Sequence, residues 1–162
     1  MICVDALFSL VRKTNFLVIL LLLSVSLANA EEPKKIVTFD YAVADTLSDL
    51  EHPPVALAGL LQYRELYQEN LMPDTLELGS KFQPNLEYLA SLDPDIILIS
   101  PPAHVNLESM ISRVSDVVKI RLFGGDLDVW KSLEQLTRTV GELNDEQQQA
   151  EELIKFVEAR AC

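Results

Sequence analysis

The stretch from Leu71 to Pro102, LMPDTLELGSKFQPNLEYLASLDPDIILISPP, constrains the fold more than any other part of the chain. Thr75–Leu78 is short, β-favouring and stopped by Gly79, and Asp95–Ser100 is a continuous apolar run ended by Pro101-Pro102. Both read as buried strands. Between them Pro84, which has no amide hydrogen to lose, starts a short helix on which Leu86, Leu89 and Ala90 share a face, and Asp93-Pro94 stops it. Strand, helix and strand within about 25 residues predict a right-handed crossover onto a parallel sheet. The fold class is α/β.

The remaining elements repeat this alternation. Lys35–Phe39 reads as a first strand, with Asp40 as N-cap of a helix whose face is Val43, Leu47 and Leu50. Pro54–Leu60 reads as a second strand, and LQYRELYQEN after it as a loop or short helix. Leu107, Met110, Ile111 and Val114 predict a helix, Val117–Phe123 a fifth strand, and Gly124-Gly125 a turn. Leu133, Leu136, Val140 and Leu143 make one amphipathic helix. Ala150, Leu153, Ile154, Val157 and Ala161 make another, starting near Asp145 and carrying no stop signal before the chain ends.

At the N-terminus, Arg12 and Lys13 precede an apolar run from Phe16 to Leu27, and Ala28-Asn29-Ala30 supplies the small residues of a cleavage site. This predicts an export signal over residues 1–30, cut after Ala30. About 12 apolar residues are too few for a span that needs about 20, so no stable membrane insertion is expected after cleavage. Glu31, rather than a cysteine, follows the site, and a periplasmic product is expected. Removing residues 1–30 takes away Arg12, Lys13 and Asp5, so 13 basic and 25 acidic residues become 11 and 24, a net charge of −13. Nucleic acid is a poor partner for such a chain. Cys3 leaves with the signal and Cys162 is the last residue, which excludes an internal disulfide or thiolate metal site in the mature chain.

Catalytic patterns are absent. The five glycines, 59, 79, 124, 125 and 141, form neither a dinucleotide fingerprint nor a phosphate loop. Ser100 and His104 sit in no nucleophile elbow, so an exported α/β hydrolase is the weaker alternative. His52 and His104 alone do not make a zinc site.

Ligands of open parallel sheets sit outside the carboxyl ends of the strands. There the sequence places Tyr41 after the first strand and Tyr63, Arg64 and Tyr67 after the second. Ser80, Lys81, Phe82 and Gln83 follow the third, and Ala103 and His104 the fourth. Arg64 and Lys81 stand against Asp40 and Glu65, a neutral to cationic aromatic shelf suited to a bulky anionic or polar ligand with flat groups.

The early KIVTFD, the PVALAGLLQYRE segment and the PNLE-to-PDIILIS block together closely resemble the periplasmic binding proteins that deliver ferric siderophores to ABC importers. The resemblance covers roughly residues 34–160. It implies a Rossmann-like lobe (residues 31–143) flanked by helices, then the start of an inter-lobe connecting helix (residues 144–162). A second lobe is absent, as in a fragment or a truncated gene product. It implies a non-catalytic monomer, without cofactor, that captures an iron(III)-siderophore of the hydroxamate type and delivers it to the importer's membrane permease. Lys81 stands where ferric-hydroxamate binders carry an arginine, Tyr63-Arg64 matches their YR pair, Ala103 and His104 replace their tyrosine, and Glu87 matches the glutamate that docks on the permease. The implied ligand contacts are Tyr41, Tyr63, Arg64, Lys81, Phe82 and His104. Cobalamin or haem as ligand, and a non-functional remnant, remain alternatives.

Overall fold

The computed structural model describes residues 33–67, 72–123 and 127–161. The export signal, the Gly124-Gly125 turn and Cys162 lie outside them. Pro33–Cys162 forms one compact unit.

Five parallel strands form the sheet, in the order β3-β2-β1-β6-β7: β1 Ile36–Thr38, β2 Ala56–Leu57, β3 Leu76–Glu77, β6 Ile96–Ile99 and β7 Asp116–Lys119. A two-stranded antiparallel hairpin, β4 Gly79–Ser80 and β5 Gln83–Pro84, stands apart from it. The helices are α1 Tyr41–Asp49, α2 Leu60–Tyr67, α3 Leu86–Leu92, α4 Glu108–Ile111, α5 Val129–Leu143 and α6 Gln147–Ala161, with a 3₁₀ turn at Val105–Leu107.

Both faces of the sheet are covered, which explains why the strands read as unbroken apolar runs rather than alternating ones. Side chains of successive strand residues point to opposite faces. Ile36 and Leu98 therefore join Leu47, Leu136, Val140 and Ala150 on the α1, α5 and α6 side, while Val37, Ile97 and Ile99 join Leu89, Leu107 and Ile111 on the α3 and α4 side. A third cluster, Ala44, Leu57, Leu60, Tyr63 and Met72, seats α2 beside α1. α1 and α5 start on aspartate caps: Asp40 accepts from the Ala42 and Val43 amides, and Asp128 from those of Trp130 and Lys131. α5 and α6 approach closely at Gly141, where an added Cβ would lie 2.6 Å from that of Ala150.

The order and type of the elements the sequence predicts agree with the structure, but the β4–β5 hairpin is not among them, and several boundaries differ. The second strand is only Ala56–Leu57, because Gly59 turns the chain at φ 76° and Leu60 already opens α2. Pairing of β7 ends at Lys119 rather than continuing to Phe123. Pro84 does not open α3. It pairs with Gly79 in the hairpin, and Asn85 caps the helix by accepting from the Tyr88 amide at 2.9 Å. On α3 the inward face is Leu86, Leu89 and Leu92 with Tyr88, and Ala90 is exposed. Met110 is likewise exposed, at the end of a helix of a single turn. The connection from β3 reaches β6 by passing over two strands, which places the reversal of strand order between β1 and β6.

Candidate functional site

A strand-order reversal leaves the loops after two adjacent strands diverging to opposite faces, and a crevice opens between them. Here those loops are Phe39-Asp40-Tyr41 after β1 and Ser100–His104 after β6. The β4–β5 hairpin carries Lys81 and Phe82 at its tip and touches both. The Lys81 ammonium sits 3.0 Å from the centroid of the Tyr41 ring, and Phe82 lies 6.3 Å from the His104 ring, itself 5.9 Å from Phe39. The structure thus brings Tyr41, Lys81, Phe82 and His104 into one rim from three separate segments.

Each side chain there has a physical character of its own. Phe82 is 67% exposed, an aromatic face with no partner of its own size over it. Tyr41 is held from below, its hydroxyl donating to the Gly59 carbonyl at 2.8 Å, and burial with the nearby Glu77 charge raises its pKa. Lys81 is half-buried, and desolvation pulls its pKa down against the pull of Asp40. His104 is buried. Desolvation chiefly, with a smaller push from Lys81, lowers its pKa against Asp40, so the ring is neutral at physiological pH. Its Nδ1 and the Ser100 Oγ are both sealed in without a hydrogen-bond partner. Buried polar atoms normally find one, and Arg64 Nε, Asn144 Nδ2 and Glu146 Oε2, away from these contacts, are also without one.

Two residues expected to touch a ligand do something else. Tyr63 is 1% exposed; its hydroxyl donates to Asp45 Oδ1 and its ring packs edge-on to Tyr41 at 5.2 Å and against Tyr67 at 4.6 Å. It supports the rim from beneath and offers no surface to a ligand. Arg64 Nη2 donates to the Met72 carbonyl at 2.8 Å, so the guanidinium braces the chain around Met72, and its Nε is buried without a partner. Glu87 is exposed in the first turn of α3, away from these contacts.

Gly59 was not singled out by the sequence, and its role is steric. A Cβ there would lie 3.0 Å from the Tyr41 hydroxyl and 3.2 Å from Lys81 Cγ, on a residue already at positive φ. A lone glycine within the apolar run Pro54–Leu60 was the available signal. Beside the rim, a cavity of about 260 Å³ is lined by Gly59, Leu61, Gln62, Glu77, Gly79 and Ser80. The Glu77 carboxylate already accepts from the amides of Gly59, Leu61 and Gly79, so these donors are not free for an external anion. Among the described residues no three His, Cys, Asp or Glu side chains are grouped as metal ligands, and no helix is long and apolar enough to cross a membrane.

The comparisons with known proteins agree with this architecture. The family model described as periplasmic binding protein matches residues 36–161. The chain is 26% identical over 141 residues to the ferric-anguibactin-binding protein FatB of Vibrio anguillarum, covering 81% of this chain and 41% of that protein. Among solved structures it resembles Staphylococcus aureus SirA complexed with staphyloferrin B (26% identity, TM-score 0.61, 78% of this chain and 41% of that one). It shares its fold with Vibrio cholerae FhuD bound to Fe3+-Desferal (22% identity, TM-score 0.70, 80% and 48%). It spans 31% to 41% of the length of the curated relatives it matches. With three-quarters of its residues under one family model, and with the sheet order and switch-point rim described above, the chain belongs to the periplasmic binding protein family.

Proposed function

We propose that this chain contributes the ligand-capturing rim of an ABC importer's substrate-binding component, and that the ligand is an iron(III)-siderophore chelate. The observation that carries this reading is the rim itself: an exposed Phe82, a Lys81 ammonium perched on Tyr41 and a neutral His104 meet at the switch point of a parallel sheet. An aromatic face beside a cation suits a flat, oxygen-rich chelate, which arrives with its iron already ligated. The names of relatives support the class: Fe(3+)-citrate, ferric anguibactin and staphyloferrin B are named for three of them. These names do not single out the hydroxamate type. The capture involves no bond-making chemistry.

In this reading residues 1–30 direct export to the periplasm, Glu87 on the exposed turn of α3 docks on the membrane permease, and α6 is the start of a connecting helix. Equilibrium dialysis of the purified chain against ⁵⁵Fe-labelled chelates tests it. Saturable retention that weakens about tenfold in Phe82→Ala is the expected result. Absence of retention for every chelate, or equal retention by the variant, overturns it.

A further inference from the structure

The charge balance of the rim says what kind of chelate it takes, an inference that rests on the ferric-chelate reading above. Lys81 forms no ion pair among the described residues; its ammonium lies instead on the Tyr41 ring. An aromatic face attracts a cation but does not neutralise it. None of the nearby carboxylates touches the ammonium, although the charge of Asp40 still acts on it through space. Asp40 accepts from the Ala42 and Val43 amides at 2.9 and 3.4 Å, Asp45 accepts from Tyr63, and Glu77 holds three backbone amides. The second cation expected here, Arg64, is turned away toward Met72.

What faces outward is therefore one positive charge with no carboxylate in contact with it, half-withdrawn from water, beside a neutral imidazole and an exposed aromatic ring. A partly desolvated charge gains most from an opposite charge brought into the same low-dielectric place. It gains nothing from a cationic ligand. We propose that the rim selects a net-negative ferric chelate, with a carboxylate or phenolate oxygen set against Lys81, over neutral or cationic hydroxamate chelates.

Dialysis of the chain against a trianionic ferric tricatecholate and monocationic ferrioxamine B, at about 20 and 300 mM salt, separates the possibilities. The expected result is at least tenfold tighter retention of the tricatecholate at low salt, narrowing at high salt. Lys81→Met is expected to erase the preference and Lys81→Arg to keep it. Equal or tighter retention of ferrioxamine B, or a preference that survives Lys81→Met, overturns the charge selection while leaving ferric-chelate capture standing. Retention of neither chelate overturns both.

Discussion

The two ends of this fold differ in how they hold charge and aromatic surface. In the layer formed by α5 and α6, Arg138 bonds Glu151 at 2.6 Å and Glu134 at 3.2 Å, Asp128 caps α5, and Gly141 admits Ala150 at close range. At the carboxyl end of the sheet, Lys81 lacks a carboxylate, Ser100 Oγ and His104 Nδ1 lack any partner, and Phe82 is bare. Both regions are built by the same chain on the same five strands. The helical layer pairs its charged side chains with one another, although Asn144 Nδ2 and Glu146 Oε2 at the α5–α6 turn are also buried without partners, whereas the rim leaves a cation and an aromatic face without a direct partner, at a cost in stability that an external ligand can offset.

The contrast predicts that changes in the helical layer act on stability and changes at the rim act on binding. Leu136→Ala empties a fully buried position of the α5–α6 core and should cost about 2–5 kcal/mol in a denaturant titration, with chelate preference unaltered in the fraction that stays folded. A loss below about 1 kcal/mol would mean that the layer is less tightly packed than described. Gly59→Ala should cost about 1–2 kcal/mol from the left-handed φ alone. It should also weaken chelate retention, since the new methyl crowds Tyr41 and Lys81. Unchanged retention would separate Gly59 from the rim.

The smallest effect is on pH dependence. The unfolded chain takes up a proton on His104 below about 6.5, while in the folded chain burial delays that uptake to lower pH. The histidine's contribution to stability is therefore complete above the unfolded pKa and is lost as pH falls through 6.5 toward the folded value. Denaturant midpoints measured at about pH 7.5 and pH 5.5 should fall less on acidification in His104→Gln than in the unsubstituted chain. Equal slopes would show that His104 titrates as if exposed.

Much of this contrast was legible in the sequence. Unbroken apolar runs announce strands covered on both faces, and the loops after them contain Tyr41, Lys81, Phe82 and His104, which the fold gathers together. Tyr63 misled because a tyrosine near a loop looks like surface; its partner, Asp45, lies 18 residues earlier on another helix, a pairing that only tertiary structure creates. Arg64 misled for the same reason, since Met72 reaches it through the fold. Pro84 fits a helix start by local chemistry, yet Asn85 wins the cap because its carbonyl reaches the Tyr88 amide. The early stop of the second strand depended on the positive φ of Gly59, which an apolar run does not reveal.

The central claim, that ligand meets the rim rather than the helical layer, is tested most directly by ¹⁵N chemical-shift mapping of the chain titrated with a diamagnetic gallium(III) tricatecholate. Shift changes clustered at Tyr41, Gly59, Lys81, Phe82 and His104 are the predicted result. Changes centred on α5 and α6, around Leu153 and Phe156, or none at saturating chelate, would contradict it.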